Sequence, residues 1–129
     1  MEFQRAFSHA VWESKVGYCR ALPAGRHNYV TGTASVDESG EGVHAPGDAY
    51  GQARRCLELI ERALKKLGAD RGHVVRTRMF VTDISRWQEF GRAHGEFFAG
   101  SPPATTMVEV KALIDPAMLI EIEADAVAG

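Results

Sequence analysis

The order of segments predicts an α+β domain in which a mixed β-sheet carries two helices on one face. Three observations carry that expectation. Cys56, Leu59, Ile60, Ala63, Leu64 and Leu67 recur at helical spacing. Residues 75–81 alternate with a period of two. Two further alternating runs, 104–112 and 119–127, close the sequence. A chain of 129 residues, 45% of them apolar, fills one domain spanning 1–129 and can bury a core.

Taken in order, residues 17–22 and 27–33 are short and rich in β-formers around Pro23-Ala24-Gly25, which reads as a hairpin. The glycine-bearing tract 36–48 is loop-like. In the helix that follows, Arg54, Arg55, Glu58, Glu61, Arg62, Lys65 and Lys66 fill the polar face, Glu61 and Lys65 are spaced for an ion pair, and Gly68 supplies the stop. Val75, Thr77, Met79 and Val81 then alternate with Arg76, Arg78 and Phe80, which argues a strand. Ser85 and Gln88 have the form of a capping box, with Asp83 also a capping residue. Trp87, Phe90, Phe97 and Phe98 give the second helix its apolar side, while Gly91 and Gly95 lower its propensity. Ile114-Asp115-Pro116 lies in the connection between the last two strands.

The pattern of the last two strands predicts which residues lie under the helices. Those are Thr106, Val108, Val110 and Ala112 on one strand and Ile120, Ile122, Ala124 and Ala126 on the other. The opposite face then holds Thr105, Met107, Glu109 and Lys111, with Glu121, Glu123 and Asp125, beside Arg76 and Arg78. Such a charged second face is either solvated or used for self-association, and from the residues alone a wet antiparallel face is the plainer reading.

Several function classes are disfavoured. A net charge of -2 and a pI near 6.2 provide no broad cationic field, so nucleic acid is not an expected partner. Cys19 and Cys56 are read as free thiols in a reducing compartment. His9, His27, His44, His73 and His94 have no ligand spacing, so no metal is expected. Neither Thr31-Gly32-Thr33 nor the glycines near residue 40 form a phosphate loop. No charged-then-apolar leader is seen, and no apolar run approaches the roughly 18 residues of a membrane span. The expectation is a cytoplasmic protein without a membrane partner.

Pro103-Ala104-Thr105-Thr106-Met107-Val108-Glu109-Val110, followed by Leu119-Ile120-Glu121-Ile122-Glu123-Ala124, resembles the C-terminal signature of the reactive-intermediate deaminase (RidA, YjgF-like) family, also called endoribonuclease L-PSP-like. Gly17-Tyr18, Val30-Thr31-Gly32, the run from Gln52 to Leu57 and the run from Val74 to Ile84 resemble its earlier elements in the same order. The resemblance implies a chorismate-mutase-like protomer in a homotrimer. Helix-free faces would meet around the axis, with one small-molecule cleft at each subunit boundary. That displaces the solvated-face reading. It also implies hydrolysis of amino-acid-derived enamines and imines to ammonia and a 2-keto acid, with no metal or cofactor.

Carried over residue by residue, Tyr18 would wall the cleft, Thr31 and Gly32 would supply a hydroxyl and an amide, and Glu121 would hold the attacking water. Alternatively, Glu121 is an ordinary strand carboxylate in a charge ladder. The chain departs from the family where Thr105 replaces the arginine that grips the substrate carboxylate, Met107 replaces a cysteine, and Gly91 replaces an asparagine. A charge-assisted bond contributes about 1.5–3 kcal/mol, so a neutral hydroxyl weakens the grip roughly tenfold to hundredfold. Trp12, outside the family pattern, either stacks on a ligand or packs a loop. Arg78 either replaces the missing cation or partners Glu109 or Glu123, and His94 is read as packing. Two functions follow: a cofactor-independent deaminase with a non-standard substrate, or a non-catalytic trimer that binds a metabolite or a protein. The weak charge and the lack of a basic aromatic stripe argue against the endoribonuclease label.

Overall fold

A computed structural model describes residues 2–128. One five-stranded sheet is formed by β1 (Ala21–Ala24), β2 (His27–Ala34), β3 (Val74–Val81), β4 (Ala104–Glu109) and β5 (Ile120–Val127). Its order is β1-β2-β5-β3-β4, antiparallel throughout except for the parallel pair β3 and β4. The long helices are α2 (Ala49–Lys66) and α3 (Trp87–Phe97), and a short α1 (Val11–Val16) precedes β1. Helix α2 lies over β2 and β5 and packs against α3.

Much of the core is the expected one, although Leu57 joins it and Leu59 and Leu67 stay half-buried. Ala53, Cys56, Leu57, Ile60 and Leu64 of α2 meet Phe90 and Phe97 of α3 and the inner residues Ile120, Ile122, Ala124 and Ala126 of β5, all buried. Alternation along β5 is strict, so Glu121, Glu123 and Asp125 stay half-buried on the other face. There Arg78 Nη1 lies 3.3 Å from both Glu123 and Asp125. Of the two roles foreseen for Arg78, the ladder with Glu123 is the one formed within the protomer.

Several local expectations are corrected. The first strand starts at Ala21, because the chain before it forms α1 and then a turn capped by Gly17 in the left-handed region (φ 91°). The hairpin turns at Gly25-Arg26, not at Pro23-Ala24-Gly25, since Pro23 and Ala24 pair with Asn28 and His27. No Ser85–Gln88 capping box forms; the Asp83 carboxylate takes the Ser85 N–H at 3.0 Å and closes a 3-10 turn, Ile84–Arg86, ahead of α3. Trp87 at the helix start is exposed rather than packed. Glu61 is claimed by Arg71 in a two-pronged pair at 2.7 Å each, a geometry a lysine cannot match. Arg55, expected on the polar face, is buried, its Nε bonded to Val36 O at 2.8 Å.

The faces of β4 are also reversed. Parallel register pairs Thr77 with Thr105 and Met79 with Met107, which puts Thr105 and Met107 on the helix-covered side. Thr106 and Val108 turn to the helix-free side with Arg78 and Phe80. Apolar alternation misleads here because β4 is an edge strand with little burial on either face. In β3, a bulge between Val74 and Arg76 leaves Val75 exposed while Val74, Thr77, Met79 and Val81 are buried.

Gln52 ties the layers together. Fully buried in α2, its amide donates to Ala45 O (3.3 Å) and Ala117 O (2.9 Å), and its carbonyl accepts from Leu119 N (2.8 Å). A similar-sized apolar residue keeps the volume but strands those backbone groups. Gln52→Leu is expected to lower stability by on the order of 3 kcal/mol, read as a fall in the urea midpoint at constant slope; an unchanged midpoint would show the clamp to be dispensable.

Candidate functional site

A cavity of about 280 Å³ opens beside α1, and the residues around it include Trp12, Tyr18, Arg20, Gly32, Leu59 and Glu121. Helix α1 supplies Trp12 and Glu13 and is ended by Gly17, after which the N–H groups of Gly17 and Tyr18 both return to Glu13 O (2.9 and 3.0 Å). That return directs Tyr18 and Arg20 back along the helix. Arg20 is then fixed by its backbone, donating N–H to Ala6 O at 2.8 Å and accepting from Thr31 N at 3.0 Å.

The Arg20 side chain is buried and meets an equally buried carboxylate. Its Nε donates to Glu13 Oε2 at 3.2 Å, and its Nη1 donates to Gly32 O at 2.9 Å and Thr33 Oγ1 at 3.2 Å. Glu13 also accepts from the Ser8 N–H (3.0 Å) and the Ser8 hydroxyl. Further partners on both sides, donors for the carboxylate and acceptors for the guanidinium, are what allow such a pair to leave water. The guanidinium carbon also stands 5.5 Å from the centre of the Tyr18 ring.

Gly32 is where the sheet makes room for this. Register between β2 and β5 slips between Val30 and Thr33, so the bulged Thr31-Gly32 pair directs its backbone groups toward Arg20. A side-chain carbon at Gly32 would lie 2.5 Å from Glu121 Oε2, so only glycine permits the carboxylate to sit there. Glu121 is half-buried, and burial pushes its pKa above the usual carboxylate range, with Arg20 opposing and Glu123 adding to the rise. Its carboxylate accepts no hydrogen bond among the described residues.

Tyr18 and Thr31 also border a wider hollow of about 780 Å³ on the other side of α1, with Phe7 and Leu22. Trp12, Tyr18, Gly32 and Glu121 therefore gather at one cavity, with Thr31 next to it.

Thr105, Met107 and Gly91 are not brought to that cavity within one protomer. Thr105 lies on the edge strand and accepts from Thr77 Oγ1 at 2.6 Å, and Thr77 Oγ1 is 2.8 Å from His94 Nε2. Burial lowers the His94 pKa, so a neutral ring stands at the inner end of this chain. Met107 packs on the core rim, and Gly91, on α3, has open space where a side chain would be. Arg20 and Glu13 went unnoticed in the sequence, and their signal was faint: opposite charges seven positions apart, with a glycine between them.

Both cysteines are free; burial pushes the Cys56 thiol far up, which makes it unreactive. Among the described residues, no group of three or more His, Cys, Asp or Glu side chains is placed to hold a metal ion. No helix among them is long and apolar enough to cross a membrane.

Residues 8–128 match the Endoribonuclease L-PSP family. The crystal structure of Rv2704 from Mycobacterium tuberculosis, a member of the YjgF/YER057c/UK114 family, superimposes with a TM-score of 0.88 at 43% identity, over 98% of this chain and 100% of that one. An uncharacterized protein, SCO2049, from Streptomyces coelicolor is 31% identical over 98% of this chain and 92% of its own length. A 2-iminobutanoate/2-iminopropanoate deaminase from Rattus norvegicus is 33% identical over 87% of this chain and 80% of its own length. Fold and sequence agree along nearly the whole length, and the architecture is the chorismate-mutase-like α+β sandwich with both long helices on one face. The chain belongs to the Endoribonuclease L-PSP family, the YjgF and RidA proteins.

Proposed function

We propose that the chain forms a homotrimer with a small-molecule cleft at each subunit boundary, in which Glu121 activates water to hydrolyse an imine or enamine without metal or cofactor. The observation that carries this is the state of Glu121: a half-buried carboxylate at the wall of a cavity, with no hydrogen-bond donor among the described residues. A raised pKa brings it nearer the working range of a general base. As the water oxygen bonds to the imine carbon, Glu121 takes the water proton and passes it to nitrogen. As the tetrahedral carbinolamine collapses, Glu121 takes the hydroxyl proton and delivers it to the amine nitrogen, the C–N bond breaks, and ammonia leaves a carbonyl product. Thr31 and Gly32 would orient the conjugated system, with Tyr18 and Trp12 as walls.

Self-association is supported by the helix-free face, where Tyr29 (47% exposed) and Val108 (43%) flank the Arg78, Glu123 and Asp125 ladder. Thr105 and Met107 stand two strands away from Glu121, so a cleft containing both sets needs a second protomer. The non-catalytic, metabolite-binding reading is favoured by Thr105 itself, a neutral hydroxyl already engaged with Thr77.

Light scattering is expected to give about three times 14.1 kDa; a monomer at micromolar concentration removes the boundary cleft. Hydrolysis of freshly generated 2-iminopropanoate is expected to be weak beside an arginine-bearing relative, and Thr105→Arg to raise it. Relative-like rates in the unmodified protein would show that Thr105 costs nothing.

Glu121→Gln separates catalysis from structure. With a neutral aryl ketimine as substrate, turnover is expected to fall roughly 10²–10⁴-fold with binding retained. Stability moves the other way. A carboxyl whose folded pKa is raised costs nothing below its unfolded value, and the cost grows as pH climbs through the folded one. Glu121→Gln should therefore melt later than the parent at pH 7, and the difference should vanish as pH falls below about 4.5. Earlier melting at pH 7 with unchanged turnover would make Glu121 an interface carboxylate.

A further inference from the structure

We propose that Arg20 is the anion holder of this site, so that the cavity takes a small organic acid whose apolar body lies against Trp12, Leu59 and Met118 and whose carboxylate meets the open edge of the Arg20 guanidinium. The proposal rests on the reading of this cavity as the ligand site, but not on turnover. Arginine carries five N–H donors in a rigid fork. Nε and Nη1 are used on Glu13, Gly32 O and Thr33 Oγ1, while Nη2 has no partner among the described residues and is not fully enclosed. Arg20 is itself only 7% exposed and lines the cavity, so a charge-assisted bond made there is little screened by solvent and strong.

The other cations near the cavity are committed differently. Arg55 is spent on Val36 O, Glu38 and Glu58, and Arg62 on Glu38. Lys66, at the rim, donates to Phe7 O at 2.7 Å and has no carboxylate partner among the described residues, which adds positive potential at the mouth. Arg78 is held on the helix-free face by Glu123 and Asp125.

The arrangement is also pre-set. Both the Arg20 backbone and two of its side-chain nitrogens are fixed before any ligand arrives, so little rotamer freedom is lost on binding. The apolar half of the ligand is read from the rest of the lining: Trp12, Leu59 and Met118, with Val16 and Ile114 exposed at 68% and 62% beside them. Glu121 lies within the electrostatic reach of Arg20. A ligand whose carboxylate is at Arg20 therefore presents the adjoining carbon toward Glu121.

The test uses the full chain carrying Trp87→Phe, which leaves Trp12 as the only tryptophan. Phenylacetate, phenylacetamide and acetate are titrated by Trp12 fluorescence and calorimetry. Phenylacetate is expected to bind at least about tenfold more tightly than either of the others, the amide testing charge and acetate testing the apolar body. Arg20→Gln with Glu13→Gln removes both buried charges together, and is expected to abolish the preference for the acid over the amide while phenylacetamide still binds. Should that pair fail to fold, Arg20→Lys keeps the charge but loses the open edge, and is expected to cut the preference several-fold, whereas Lys66→Gln is expected to leave most of it.

Equal binding of acid and amide by the parent, no binding of any probe, or a preference that survives at Arg20 and disappears at Lys66 overturns the proposal. Phenylacetate cannot be hydrolysed, so these outcomes are independent of the deaminase reading. An Arg20-dependent preference without ketimine turnover sustains this inference and removes that one; turnover with no such preference does the reverse.

Discussion

The buried pair of Glu13 and Arg20 is the constraint on which the candidate site depends. Two opposite charges are taken out of water together, and each is supplied with further partners: Ser8 for the carboxylate, Gly32 O and Thr33 Oγ1 for the guanidinium. Removing one partner alone would leave the other buried and uncompensated. Through that pair, three pieces of chain with little regular structure in common are held in register: the segment around Ser8, helix α1, and the bulged middle of β2. The cavity exists because they are held there.

A second relation, between β2 and β5, sets the chemistry. The bulge at Thr31-Gly32 interrupts the ladder next to Glu121, and the missing side chain at Gly32 is filled by the carboxylate. Glu121 is thereby placed on a central strand, which fixes its position, and half-buried there, and burial raises its proton affinity. Thr105 belongs to an edge strand of the sheet, two strands from Glu121. There Thr105, Thr77 and His94 form a neutral hydrogen-bonded chain that ends beneath α3. The two regions thus differ in character: one holds a carboxylate beside a buried cation, while the other is a chain of neutral hydroxyls and an imidazole.

Most of the scaffold was legible in the sequence because long, well-buried elements follow their periodicity. Cys56, Ile60, Ala63 and Leu64 of the α2 stripe and the strict alternation of Ile120, Ile122, Ala124 and Ala126 correspond to what is buried, while Leu59 and Leu67 stay half-buried. What escaped had physical reasons. Helix α1 is six residues long, under two turns, so no period can be counted in it. On β4, exposure of both faces removed the contrast that assigns inside from outside. At Asp83 the carboxylate accepts the N–H of Ser85, two residues on, and caps a 3-10 turn where the capping box was expected. In the site, Tyr18, Gly32 and Glu121 were visible through resemblance. Arg20 was not, because a buried arginine is recognisable only once its carboxylate is known to fold back beside it.

The sheet order carries a consequence for biosynthesis. The strand latest in sequence, β5, occupies the middle of the sheet, between β2 and β3, and provides the floor beneath α2. Until it is made, the hairpin of β1 and β2 and the parallel pair of β3 and β4 have no shared edge, and the apolar stripe of α2 lacks its β5 floor. Folding during translation therefore cannot complete the sheet before β5 is present. The chain must wait with two unpaired inner edges exposed and then close in a single event, which makes the interval before β5 emerges the time of greatest exposure to mispairing.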